Sequence, residues 1–135
     1  MESTVLEVTT GSSRGVHDLT DEVAGWCAGR GDGLLHVFAP HATCGLALVE
    51  TGAGSEHDLL SAVDELLPRD EGRWQHRHGP PGHGADHVLP ALVAPFLVLP
   101  VDAGEPALGT WQRVCLVDPN ADNPRRRVRV SFLAG

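Results

Sequence analysis

The chain has 135 residues and a formal net charge of −8. A chain this long can bury about two thirds of its unfolded surface, so one domain over residues 1–135 is expected, with no need of disulfides. The acidic balance argues against a nucleic-acid partner, no apolar run approaches the ~20 residues of a membrane span, and Met1-Glu2-Ser3-Thr4 lacks signal-peptide character, so a cytoplasmic protein is expected.

Residues 4–10 read as a strand, with Val5, Leu6 and Val8 among Thr and Glu. A Gly- and Ser-rich turn follows, and Leu19, Val23, Trp26 and Cys27 then recur at helical spacing. Asp18 or Thr20 can cap that helix, and the glycines at 29–33 stop it. Residues 34–38 are an apolar run ended by Pro40, hence a buried strand, and residues 44–50 form another. Ser55-Glu56-His57-Asp58 matches a capping box. Leu59, Leu60, Val63, Leu66 and Leu67 supply one helix face before Pro68. Residues 69–84 are polar and rich in Gly, Pro and His, and a long stretch of this kind inside a compact domain points to function or disorder. Residues 86–94 can form a short helix if Pro90 lies near its first turn. Strands at 96–101, 110–117 and 127–133 close the chain. The total is about six strands and two or three short helices. Hairpin-like connections after residue 95 favour antiparallel pairing, and no strand–helix alternation supports a parallel doubly wound sheet. The expected fold is mainly β, of the α+β class: an antiparallel β-sandwich with helices packed outside.

The composition narrows the chemistry. All ten basic residues are arginine, so Schiff-base catalysis and a phosphate-loop lysine are excluded. Tyrosine is absent as well, which leaves proton transfer to His, Asp, Glu or Cys. Cys27, Cys44 and Cys115 are odd in number and far apart, as expected of reduced thiols. Eight histidines is a high count, and four of them lie at 76, 78, 83 and 87. Imidazoles suit a transition metal, and three with an open position make a catalytic arrangement; a solvated loop is the plainer reading of any one of them. Arg125, Arg126, Arg127 and Arg129 form a positive patch, read as a phosphate clamp or as a solvated strand entrance. Trp111, beside Gly109 and Gln112, is either core or the stacking wall of a flat-ring pocket.

His41-Ala42-Thr43, a strand ending in Glu50, Asp58 on the next helix, Trp74-Gln75-His76, His87 before an apolar stretch, Leu108-Gly109-Thr110-Trp111-Gln112 and Arg125 with Arg127 together resemble the YjbQ-like family. Its members are also called secondary thiamine-phosphate synthase enzymes. The likeness spans nearly the whole chain, and the Leu-Gly-Thr-Trp-Gln match is its most specific part. Ala42 and Val49 depart from the family pattern, as do His83, Ala85 and Asp86, so His78 or His83 stands as a replacement ligand. The resemblance implies a jelly-roll-like sandwich, a homotrimer, and a pocket of three histidines and a carboxylate near a subunit boundary. It implies a divalent metal ion, Zn or Mg, on His41, His76 and His87. It implies catalytic roles for His41, Glu50 and Asp58, and substrate contacts from Thr43, Trp111, Gln112, Arg125 and Arg127. The implied reaction joins hydroxymethylpyrimidine diphosphate to thiazole phosphate and releases diphosphate, so the expected partner is a small phosphorylated substrate. A metal-dependent hydrolase with Glu50 as base, and a non-catalytic trimeric ligand-binding protein, are the alternatives.

Overall fold

A computed structural model gives the fold; it describes residues 1–135, the side chain of Glu71 excepted. The strands are β1 (Glu2–Thr9), β2 (Gly15–Asp18), β3 (Gly33–Phe38), β4 (Gly45–Val49), β5 (Phe96–Asp102), β6 (Glu105–Pro106), β7 (Arg113–Asp118) and β8 (Arg125–Ala134). The helices are α1 (Thr20–Cys27), α2 (Ser55–Leu66) and α3 (His83–Val88), with one-turn 3-10 helices at Glu71–Arg73 and Leu89–Ala91. The fold is mainly β, with three short α-helices and antiparallel sheets.

One sheet has the strand order β1-β8-β3-β5-β6 and the other β2-β7-β4, every pairing antiparallel. Leu35 and Val37 of β3, Leu99 and Val101 of β5, and Val128, Val130 and Phe132 of β8 point inward. They share one core with Leu46 of β4, Val114 and Leu116 of β7, and Val23 and Cys27 of α1. Alternate residues of β8 from Arg126 to Phe132 thus face the core, and the pattern runs further toward the N-terminus than the apolar residues do. Arg126 is in phase with Val128 and is 1% exposed. Its Nε donates to Asp118 Oδ2 at 2.8 Å, and its Nη2 donates to Asp118 Oδ1 and to Thr43 Oγ1, each at 2.9 Å.

Four local expectations change. β2 and β6 add to the expected strands, because pairing with β7 and β5 settles what their own residues leave open. β7 begins at Arg113 rather than Thr110. Residues 109–112 form a turn instead, closed by the Gln112 N–H on Gly109 O at 3.0 Å, with Gln112 Oε1 taking the Gly109 N–H at 2.8 Å. Ser55 does not cap α2 but is its first residue; Gly54 precedes it at φ 96°, in the left-handed region that glycine favours. Glu56 reaches back to the Gly52 N–H at 2.8 Å, so an acidic side chain still closes the turn, from another position. The third helix starts at His83 rather than Asp86, and Pro90 falls in the 3-10 turn that follows it.

A second, smaller core lies under the histidine-rich segment. Val63 and Leu67 near the end of α2 pack on Ala85 of α3 and on Leu89, with Trp74 against them. The Trp74 indole donates to Pro68 O at 2.9 Å. Trp74 thus anchors the histidine-rich stretch on a core of its own. The three cysteines are free and buried; burial pushes Cys44 up to about 11 and Cys115 up to about 12, which leaves them unreactive thiols. No helix among the described residues is long and apolar enough to cross a membrane.

Breaking a buried pair leaves one charge uncompensated, at a cost of about 3–5 kcal/mol. Asp118→Ala is expected to lose stability of that order in urea titration. Arg125→Ala, on the exposed face of the same strand as Arg126, is expected to stay within about 0.5 kcal/mol of the parent. Equal losses in the two variants would deny the pair its role.

Candidate metal centre

His83 and His87 lie one turn apart on α3, so their rings share a face. His76 comes to the same place from the preceding extended segment. Its approach depends on Gly84: a Cβ there would sit 2.6 Å from His76 O and 2.8 Å from Trp74 Cβ. One ring nitrogen from each of His76, His83 and His87 falls within 4.8 Å of the other two. His78 stands beside them, its ring centroid 4.0 Å from that of His76.

The polar contacts give each ring a role. His83 Nδ1 lies 2.8 Å from Asp122 Oδ2. A carboxylate only accepts, so Nδ1 carries the proton and Nε2 keeps its lone pair. That Nε2 is 3.1 Å from His87 Nε2. Two imidazoles on one tetrahedral ion, with each nitrogen about 2.0–2.1 Å from it, would hold their nitrogens about 3.3 Å apart. His76 Nε2 is buried and has no hydrogen-bond partner. Burial first, and the neighbouring imidazoles second, hold His76 and His87 below the usual histidine value, so both favour the neutral form a ligand needs. Burial alone would raise Asp122, but its bonds from His83 and Asn120 outweigh that and lower it.

Behind the rings is a polar network. Asn120 Nδ2 lies 3.1 Å from Asp122 Oδ2 and 2.9 Å from Asp86 Oδ2. Asp86 is buried and also accepts from Arg69 at 2.6 Å. The Asn120 N–H donates to Asp118 Oδ1 at 3.1 Å, which ties the histidine cluster to the buried Arg126.

The other residues singled out in the sequence lie apart from this group. The trio that meets in the chain is His76, His83 and His87, with His83 in the place expected of His41. The His41 ring is used elsewhere. β3 ends at Phe38, and the ring takes the Arg127 backbone N–H at 2.9 Å, where β8 has lost its neighbour on the β3 side. Thr43 is buried on Arg126. Glu50 is exposed at the end of β4. The Asp58 side chain is 85% exposed, nearest to His57 at 3.7 Å. Trp111 is 70% exposed on its turn, and Gln112 bonds within that turn. Arg125 is exposed, and Arg127 sits 3.3 Å from Glu7 across the β1–β8 ladder. Asp122, Asn120 and the buried role of Arg126 were not foreseen from the sequence. Of these, only Arg126 carried a signal, its phase with Val128, Val130 and Phe132.

The family model for UPF0047 protein YjbQ-like matches residues 4–135. The chain belongs to the YjbQ-like UPF0047 family. UPF0047 protein Rv2556c of Mycobacterium tuberculosis (strain ATCC 25618 / H37Rv) is 56% identical over 135 residues, covering 100% of both chains. The crystal structure of hypothetical protein APE1520 from Aeropyrum pernix K1 superposes with a TM-score of 0.88 at 30% identity, covering 100% of both chains. The conserved hypothetical protein TT1486 from Thermus thermophilus gives a TM-score of 0.84 at 33% identity, covering 96% of this chain and 99% of its own. Within this YjbQ-like chain, the aromatic-x-His element at Trp74 and His76 and the second histidine at His87 fall in one cluster. The Leu-Gly-Thr-Trp-Gln turn precedes β7, whereas Asn120 and Asp122 follow its other end.

Two histidines outside the cluster set an acid limit on stability. Burial depresses His17, against a smaller opposing pull from Asp118, and burial with the Arg126 charge depresses His41. A folded value below the unfolded one near 6.5 means that stability is full above about pH 6.5 and falls as pH drops toward the folded value. The melting temperature is expected to fall between about pH 7 and pH 5. His17→Gln is expected to lessen that fall; an unchanged pH profile in this variant would clear His17.

Proposed function

We propose that the chain holds a divalent transition-metal ion on His76, His83 and His87 and acts on a small phosphorylated substrate. The observation that carries this is the buried, unpartnered His76 Nε2, on a ring that meets those of two histidines whose Nε2 atoms already converge. An unsatisfied buried nitrogen costs free energy unless it is used. Three imidazoles suit zinc among the expected ions; magnesium prefers oxygen ligands. Such an ion, when bound with an open position, polarises a phosphoryl oxygen or a water. The protein's own part is orientation. Asp122 fixes the His83 tautomer, and Asn120 fixes Asp122.

The resemblance to secondary thiamine-phosphate synthases suggests the reaction: joining hydroxymethylpyrimidine diphosphate to thiazole phosphate with loss of diphosphate. Both substrates bear phosphate, which suits a cationic centre in an acidic chain. A metal-dependent hydrolase of a phosphorylated heterocycle would use the same trio. Glu50 stands outside the group and is a weaker candidate for its base. The two sheets read as a jelly-roll-like sandwich, because their inner faces share one core.

We also propose the homotrimer. The outer face of the five-stranded sheet bears Leu34, Phe96, Val98 and Leu133, each between 47% and 56% exposed. Register places Leu34 beside Leu133, and His36 beside Val98. A contiguous apolar patch of this kind marks an interface. Light scattering is expected to give three times the chain mass, and Val98→Glu to give monomers. A stable monomer at micromolar concentration in the parent protein would overturn the assembly.

Zinc titration by calorimetry is expected to give one site per chain. Asp122→Ala should weaken it about 10–100-fold, the usual cost of losing the partner that orients a ligand histidine. His87→Ala should abolish it. Binding that survives His87→Ala would remove the trio from the proposal.

A further inference from the structure

A cavity of about 370 Å³ opens on the outer side of the five-stranded sheet, lined by Val5, Phe38, Pro40, His41, Arg127 and Arg129. None of the cluster histidines lines it. Its floor is apolar, made by Val5 of β1, Phe38 of β3 and Pro40. Register explains the grouping: Val5 lies opposite Arg129 on one side of β8, and Phe38 lies opposite it on the other. Phe38 is held in place by His36, whose ring stacks on it at 6.0 Å and 15°.

The polar groups around that floor are donors. The Arg129 side chain has no ion-pair or hydrogen-bond partner among the described residues. Arg127 Nε lies 3.3 Å from Glu7 Oε1, between side chains that are 65% and 66% exposed. An ion pair that open contributes little and can be shared or exchanged. His41 accepts the Arg127 N–H through Nε2, so that nitrogen holds a lone pair and the ring proton resides on Nδ1. The contact of the same Nε2 with Arg127 O, at 3.2 Å, then carries no proton. Glu7, the carboxylate beside Arg127, is not among the lining residues. In a chain of net charge −8, a recess with two guanidinium groups and no acid in its wall is selective by charge alone.

We propose that this recess is a binding site for a small anion with a flat apolar body, such as an aryl phosphate or an aromatic carboxylate. The guanidinium groups of Arg127 and Arg129 take the anionic head, the first in exchange for its open contact with Glu7. The ring or hydrocarbon part lies on Val5, Phe38 and Pro40. A guanidinium matches phosphate or carboxylate oxygens in pairs, and the apolar floor adds what an inorganic ion cannot use. The site stands apart from the proposed metal centre and does not depend on it; it lies at the margin of the apolar patch assigned above to the subunit interface, Phe38 being the register partner of Phe96.

The test is calorimetry on the full-length protein with phenyl phosphate, benzoate and inorganic phosphate, each with and without a chelator. Phenyl phosphate is expected to bind at least about tenfold more tightly than inorganic phosphate, with or without chelator, because only the organic ligand covers the floor. Arg129→Met keeps the aliphatic stem on the sheet and removes the charge; it is expected to weaken phenyl phosphate by about ten- to a hundredfold. The same variant is expected to bind zinc as the parent does. Benzoate binding in step with phenyl phosphate marks the site as general for aromatic anions, and its absence restricts the ligand to phosphates within the same site. Phenyl phosphate affinity unchanged in Arg129→Met, or lost with the chelator or in His87→Ala, would move the anion to the histidine cluster and overturn the inference. So would no binding by the parent at about 10 mM ligand. Failure of the metal proposal reads differently: zinc would not bind, while the aryl phosphate still would.

Discussion

The Arg126–Asp118 pair is the constraint on which the rest of the structure depends. Both side chains are almost fully buried, and two parallel hydrogen bonds of 2.8 and 2.9 Å join them. Burial works to strip the arginine of its proton, and the Asp118 hydrogen bond and charge outweigh it, so the Arg126 value is raised. Two lone charges would not be tolerated in this interior; a bidentate, hydrogen-bonded pair is. The pair joins β8 of the larger sheet to the end of β7 in the smaller one, and Thr43 brings in the segment between β3 and β4. Apolar contacts hold the two sheets together without direction. The ion pair fixes one relative position of the strand ends.

The same carboxylate extends order to the histidine cluster. Asp118 takes the Asn120 N–H, and Asn120 then meets both Asp86 and Asp122. Asp86 and Arg69 secure α3, and Asp122 orients His83. The segment holding these residues also has an apolar anchor in Val63, Leu67, Ala85 and Leu89. Position and orientation therefore have separate causes. The small core sets where α3 lies, and the polar chain sets which nitrogen of His83 faces its neighbours. Sites of this kind need both, because a ligand ring held loosely loses affinity even when every ligand is present.

Much of this was legible in the residues. The apolar runs at 34–38 and 96–101 became paired strands, the Leu and Val spacing after Ser55 became α2, and the histidine-rich stretch did gather its rings. Where the reading failed, side-chain type was taken without its surroundings. The family resemblance drew attention to Arg125 and Arg127 and left Arg126 between them without a role, yet the period of the strand places Arg126 inward. The capping box at Ser55 was plausible chemistry, but Gly54 in the left-handed region started the helix one residue early and left Ser55 inside it. Trp111 was read onto a strand, whereas Gln112 folds back on Gly109 and turns the tryptophan to solvent.

The sequence by itself determined the class of fold, the order of its principal elements and the family, because periodicity, turn residues and short motifs are local and survive without coordinates. It also supplied the chemistry available, imidazole and guanidinium in a chain without lysine or tyrosine. Tertiary structure alone decided which histidines meet. His41 and His76 are equally good ligands as residues. But the Arg127 backbone left open past the end of β3 claims the ring of His41, and the gap above Gly84 brings His76 to α3. Those choices depend on distances between segments far apart in the chain, and nothing in the local spacing of either segment encodes them.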